Sequence, residues 1–278
     1  MTHRTSLGPW VGALMAAALA LPGAALAGED DDDEGGEDDG LIEELFVAET
    51  VYPQEKGEFQ LTVMPARRGP GAGLRLNELT VFTEYGLTDW LQVEVGWGAL
   101  QRLRDPARPE VDPQVSLGTL EWGLRAATRT VGWEGLWLSG GGEMGIPLGS
   151  GPQDGGEDGG LALEPVIILG QDLGPRNHLV LNLGLETPLG AKDPGEARDV
   201  GLAGALGWIF APTERWRGTL ELSADAEAVD GERELGAYLT PGILYEGIWE
   251  LEVGLGAPLG LTDESAPWAV VGMVTFER

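Results

Sequence analysis

From Gly57 onward, apolar and polar residues alternate through about a dozen short segments. Alternation of period two sends successive side chains to opposite faces of a β-strand. Strands are expected over 58–66, 74–86, 90–101, 114–128, 133–147, 160–172, 177–188, 199–210, 216–228, 233–245, 248–260 and 268–276. All but the first and last comfortably reach the ~9–11 residues that a tilted membrane strand needs.

The connections fall into two alternating sets. Leu87-Thr88-Asp89, Thr130-Val131-Gly132, Gly174-Pro175-Arg176, Pro212-Thr213-Glu214-Arg215 and Glu246-Gly247 are short. The stretches 67–73, 102–113, 148–159, 189–198 and 261–267 are longer and rich in Gly, Pro, Asp and Glu. Asp230-Gly231 breaks the rhythm, a tight hairpin turn where a long loop is due. Short turns on one rim and long loops on the other mark a barrel whose ends face different compartments. The expected fold is therefore all-β: a closed antiparallel up-and-down transmembrane β-barrel of about 12 strands.

Aromatic residues point the same way. Tyr85, Trp90, Trp133, Phe210, Trp216, Tyr245 and Trp249 lie close to the short turns, and Trp97 and Trp268 sit at opposite strand ends. Membrane barrels place such amphipathic rings in girdles at both interfaces.

The two faces can be told apart where alternation is clean. Leu179, Leu181, Leu183 and Leu185 oppose His178, Asn182, Gly184 and Glu186; Leu220, Leu222, Ala224 and Ala226 oppose Glu221, Ser223, Asp225 and Glu227. Isolated carboxylates in hydrocarbon would lose several kcal/mol of hydration. The aliphatic rows are thus expected to meet lipid, and the acidic rows a wet lumen. The expected lumen-lining residues are Glu94, Glu121, Glu143, Glu164, Glu186, Glu221, Asp225, Glu227, Glu250 and Glu252, with Arg125 as a counter-ion among them. A soluble β-sandwich explains the alternation equally well, but not the loop rhythm or the girdles.

Residues 1–27 read as a signal peptide: His3 and Arg4, an apolar core from Leu7 to Leu21, and the cleavage site Ala25-Leu26-Ala27. The leader holds one of the 17 basic residues and none of the 46 acidic ones, so the mature chain is one charge more negative than −29. Such a charge repels nucleic acid and removes it from the expected partners. Residues 28–56 read as an acidic disordered tail and a short periplasmic segment, in which 41–48 could form one or two helical turns, and 57–278 as the outer-membrane barrel. There is no cysteine, so the fold is held without disulfides.

The stretch Tyr85-Gly86-Leu87-Thr88-Asp89-Trp90-Leu91-Gln92-Val93-Glu94-Val95-Gly96 resembles the strand-turn-strand signature of the "MetA-pathway of phenol degradation" family of outer-membrane transporters. Lys56-Gly57-Glu58-Phe59, Ile146-Pro147-Leu148-Gly149 and Trp249-Glu250-Leu251-Glu252-Val253-Gly254-Leu255-Gly256 extend the likeness over most of residues 50–278. The resemblance implies an outer-membrane barrel that passes small hydrophobic or aromatic compounds, and it carries over no catalytic or ligand residue. The chain departs from the pattern at its end, where Phe276 is followed by Glu277 and Arg278 instead of closing on an aromatic.

Enzymatic chemistry finds little footing. The mature chain holds one histidine, His178, and the position where an outer-membrane phospholipase carries its serine is Val180. Carboxylates two apart on a strand, such as Glu250 and Glu252, lie ~6.5–7 Å from each other, within the inverting-glycosidase range. They recur on several strands, however, as a general wet face would have them. No H-x-x-x-H, C-x-x-C or P-loop pattern occurs, and the acidic run at 28–40 lacks the ligand spacing of an EF-hand.

The sequence thus predicts a non-enzymatic channel in the cell outer membrane, without cofactor or metal, for passive passage of small neutral, cationic or hydrophobic solutes. Its expected partners are outer-membrane lipid, the barrel assembly machinery and small solutes. The competing readings are a non-transporting structural barrel and a soluble exported β-sandwich binding protein.

Overall fold

The computed structural model describes residues 45–71, 74–105, 107, 113–130, 133–148, 161–189, 200–229, 232–247 and 251–278. All of them belong to the compact unit Gly40–Arg278; the other unit, Met1–Asp39, lies outside them, so the expected signal peptide at 1–27 and residues 28–44 of the expected tail and periplasmic segment fall outside the described residues.

The strands are β1 (Phe59–Gly71), β2 (Leu74–Thr88), β3 (Leu91–Arg104), β4 (Gln114–Ser116), β5 (Thr119–Arg129), β6 (Leu136–Pro147), β7 (Leu161–Asp172), β8 (Asn177–Leu189), β9 (Gly201–Phe210), β10 (Trp216–Val229), β11 (Glu232–Glu246), β12 (Leu251–Gly256), β13 (Leu259–Gly260) and β14 (Ala269–Glu277). Twelve of these form the wall, each antiparallel to its neighbours; β4 pairs with β3 beyond the wall, and β13 continues the line of β12 along β11. The ring closes where β1 meets β14, with Leu61 opposite Phe276 and Val63 opposite Val274. At that seam Phe59 and Arg278 exchange two backbone hydrogen bonds of 2.9 Å.

Closure satisfies the edge groups that an open sheet would leave in lipid, which is why strands can cross a bilayer only in this form. The outward rows are mostly apolar, with Leu183, Leu222, Val253 and Leu255 among their exposed residues. Tyr85, Trp90, Trp133, Phe210 and Trp216 are exposed at the short-turn rim, and Trp97 and Trp268 at the other end. The sandwich alternative fails here, because stacked sheets would bury these rows.

Several boundaries differ from the sequence expectation; the strand expected over 114–128, for one, is interrupted at Leu117-Gly118 between β4 and β5. The first long loop, expected at 67–73, is mostly strand: Arg67 pairs with Asn77 and Arg68 with Leu76, and β1 runs to Gly71. Strand pairing uses the backbone, so the two arginines do not end it. The eleventh strand, expected over 248–260, breaks after Gly256 because Pro258 brings no N–H to the ladder.

The interior also differs. The half of the barrel next to the short turns is packed with apolar groups: Ile168, Val180, Ile209, Leu244 and Met273 point inward and are buried. Residues 45–54 lie among them. Of the predicted helical turn, residues 45–48 are described; they are not helical, 46–48 form a bend, and the segment runs inside the wall.

Candidate functional site

The site is built from a strap, residues 45–56, and the inward faces of the strands around it. Leu45, Phe46, Ala48 and Val51 are buried among the inward-pointing apolar residues. The wall makes room for them with glycine. A Cβ on Gly256 would stand 2.7 Å from the Phe46 ring and one on Gly254 3.0 Å from it, and a Cβ on Gly170 would strike Val51. Gly207 leaves space for Leu45 and Ala48 in the same way.

Polar groups of the wall satisfy the strap's backbone, as burial demands. Glu221 on β10 accepts the amide of Phe46 at 3.1 Å and those of Val47 and Ala48 at 2.8 Å. Asn182 on β8 accepts the Glu49 amide at 2.5 Å and donates to the Glu49 carbonyl at 3.0 Å. Gln92 on β3 accepts the amide of Gln54 at 2.9 Å, and the Gln54 side-chain amide donates to Gln60 and Glu84.

Arg125 on β5 is the electrostatic hub. Its guanidinium donates to the Glu49 carboxylate at 2.8 Å, to the Thr50 carbonyl at 3.2 Å and to Glu84 at 3.2 Å, with Glu94 at 3.7 Å. One buried cation thus holds carboxylates from the strap, β2 and β3 together. Burial pushes the Glu49 carboxyl above its ordinary range, and the Arg125 charge pulls it back.

Tyr52 anchors the strap nearer the short-turn rim. Its hydroxyl donates to Asp172 at 2.7 Å, and His178 Nδ1 lies 2.8 Å from the same carboxylate oxygen and 3.0 Å from the hydroxyl. The Tyr52 ring packs edge-on against Trp137, with centroids 5.2 Å apart. Burial and the Asp172 charge push the phenol pKa well up, so the hydroxyl stays a donor.

Beyond the strap, toward the long loops, lies a cavity of about 350 Å³. Residues 45–49 form part of its lining, together with Glu78, Glu84, Glu94, Glu121 and Glu143 from β2, β3, β5 and β6. Arg68 lies at its edge, paired with Glu78 at 2.8 Å.

The ten sequence-predicted acidic residues therefore have different surroundings. Glu94, Glu121 and Glu143 line the cavity, and Glu164 stands opposite Glu143 across β6 and β7. Glu186 and Asp225 are exposed. Glu221 is fully buried against the strap, and Glu252 is buried with Arg217 as its nearby cation. Glu250 lies outside the described residues, and of Glu227 only the backbone, in β10, is described. Arg125 is a counter-ion as expected, but for a group on the strap as well as for the wall.

Sequence reasoning missed the docked strap, with Tyr52 and Gln54, and its wall partners Glu84, Gln92, Asp172 and Asn182. The available signal was the set of inward glycines facing a short apolar run at 45–48.

No family model and no curated protein matches the chain. Solved structures do. The COG4313 outer membrane channel from Pseudomonas putida F1 superposes with a TM-score of 0.63 at 14% identity, over 82% of this chain and 98% of that one. The NanC porin does so with a TM-score of 0.55 at 8% identity, over 77% and 97%. Identities this low speak for the fold alone. With its closed wall, lipid-facing aliphatic rows and aromatic girdles, the chain is a twelve-stranded β-barrel of the cell outer membrane.

Proposed function

We propose that the barrel is a passive channel for small neutral, cationic or hydrophobic solutes, related to the MetA-pathway of phenol degradation family that its Gly86-Leu87-Thr88-Asp89 turn resembles. The observation that carries this reading is the cavity beyond the strap, whose wall holds Glu84, Glu94, Glu121 and Glu143 and, among the described residues, only Arg125 and Arg68 close by as cations. Carboxylates crowded in a confined wall attract cations and repel anions. A signal peptide cleaved after Ala27, insertion by the barrel assembly machinery and the lack of enzymatic activity belong to the same reading. His178, the mature chain's one histidine, is wholly buried between Asp172 and Tyr52, away from the cavity.

The test is a planar-bilayer recording of the purified mature chain under a potassium chloride gradient. The channel reading expects open current with a reversal potential on the cation side. Anion preference would overturn the solute assignment.

A second reading, a non-transporting structural barrel, is favoured by the strap itself, which fills the half of the lumen next to the short turns. The same recording on a chain lacking residues 45–56 separates the two. A channel conducts in both forms and more strongly without the strap. A structural barrel is silent while the strap is present.

A further inference from the structure

On the outer face of β1, β2 and β3, at their long-loop ends, four arginines come together. Arg75 and Arg104 are directly opposite each other across the β2–β3 ladder, and Arg102 is opposite Asn77, which is opposite Arg67 on β1. All four are exposed, and no carboxylate is within ion-pair distance of them among the described residues. Neighbouring strands lie ~4.8 Å apart and residues two apart on a strand ~6.8 Å, so the four guanidinium groups share a patch about 10 Å across.

The placement is unusual in two ways. The chain has 46 acidic residues against 17 basic ones, yet four of the basic ones collect at one spot. Like charges directly opposite on a ladder are destabilising unless something neutralises them. Arg68, next to Arg67, points inward to Glu78; the four outward groups have no such partner among the described residues.

Height sorts the possible partners. Arg67 lies eight residues along β1 from Phe59, which is exposed at the short-turn rim. That is about 27 Å along the strand, or roughly 20 Å up the membrane normal for strands tilted ~40°. The patch therefore lies near the top of the ~25 Å apolar band, where arginine reaches the head groups at little cost. Exposed apolar residues, Leu100 on β3, Val115 on β4 and Val270 on β14, surround it. With the long loops outside, this is the head-group level of the outer leaflet, whose glycolipid carries phosphate above its acyl chains. The guanidinium fork matches phosphate oxygens in pairs.

We propose that Arg67, Arg75, Arg102 and Arg104 form a binding site on the barrel wall for the phosphate groups of the outer leaflet's glycolipid, with Leu100, Val115 and Val270 against its acyl chains. The bound phosphate neutralises the Arg75–Arg104 pair and fixes the height of the barrel in the membrane.

The test is the thermal midpoint of the purified full chain in detergent, read from its heat-modifiable gel migration. Diphosphorylated lipid A in hundredfold excess over its Kd is expected to raise the midpoint by about 5 °C. The dephosphorylated glycolipid and inorganic phosphate at equal phosphate concentration are expected to leave it unchanged. R75Q/R104Q should lose most of the shift, whereas R176Q, at the opposite rim, should keep it. If R75Q/R104Q does not fold, R102Q is read in its place. The proposal is overturned by no shift in the natural chain, an equal shift from inorganic phosphate or the dephosphorylated lipid, or a full shift in the arginine variants.

Discussion

Glu221 Oε2 accepts the amide hydrogen of Ala48 at 2.8 Å, joining two residues 173 positions apart in the chain. The same carboxylate takes the amides of Phe46 and Val47. A single side chain on the wall thus caps a buried turn of the strap. Glu221→Ala leaves three amide donors without this acceptor, and the two buried ones, of Phe46 and Ala48, each cost ~1–3 kcal/mol. Amide hydrogen exchange at residues 46–48 should accelerate at least tenfold while the wall strands keep their protection. Unchanged exchange there would show that the carboxylate does not hold the strap.

Volume holds it as well. A methyl group at Gly170 would overlap Val51, so Gly170→Ala should cost about 1–3 kcal/mol through overpacking. Adding Val51→Ala should recover most of that loss, giving a coupling energy above ~0.5 kcal/mol in a double-mutant cycle of thermal unfolding. Strictly additive effects would mean that the two residues do not meet.

Tyr52→Phe removes the hydroxyl that binds Asp172 and lies beside His178 but leaves the ring on Trp137. The expected loss is about 1–2 kcal/mol in strap docking. It should appear as faster exchange at residues 51–53, with wall stability unaltered.

The seam carries a pH dependence. Glu58, just ahead of β1, has its carboxyl pushed up from 4.5 to about 7, by burial first and then by a hydrogen bond with Glu277. A carboxyl raised on folding stabilises the folded seam in its protonated form. That contribution is full below pH 4.5 and lost as pH rises through about 7. The Phe59 and Arg278 amides, which pair across the seam, should be better protected at pH 5 than at pH 8 after correction for intrinsic exchange. Glu58→Gln should flatten the profile; a profile that persists in this variant assigns the effect elsewhere.

The wall was legible because lipid forces strict alternation on it: the Leu179–Leu185 row could only be strand. The long-loop end of β1 was not, since Arg67 and Arg68 read as loop although their backbones pair with β2. The acidic residues were all assigned to one environment. Glu221 and Glu252 are dry while Glu121 and Glu143 line a cavity, and nothing in a two-residue period distinguishes them. The strap escaped because Leu45-Phe46-Val47-Ala48 is too short to show a period, and its polar partners are spread over seven strands. Its trace lay in the wall: inward glycines beside Ile168, Val180 and Leu244 make no sense around water, and they mark a volume reserved for another part of the chain.

The vacancy around Phe46 has a consequence for descent. Gly254 and Gly256 are small because a benzyl group occupies their side of the lumen. A lineage that trades Phe46 for alanine would inherit a void unless one of those glycines grew at nearly the same time. Related barrels should therefore show these positions drifting in opposite directions of bulk, so that ancestry itself would record what fills the hole.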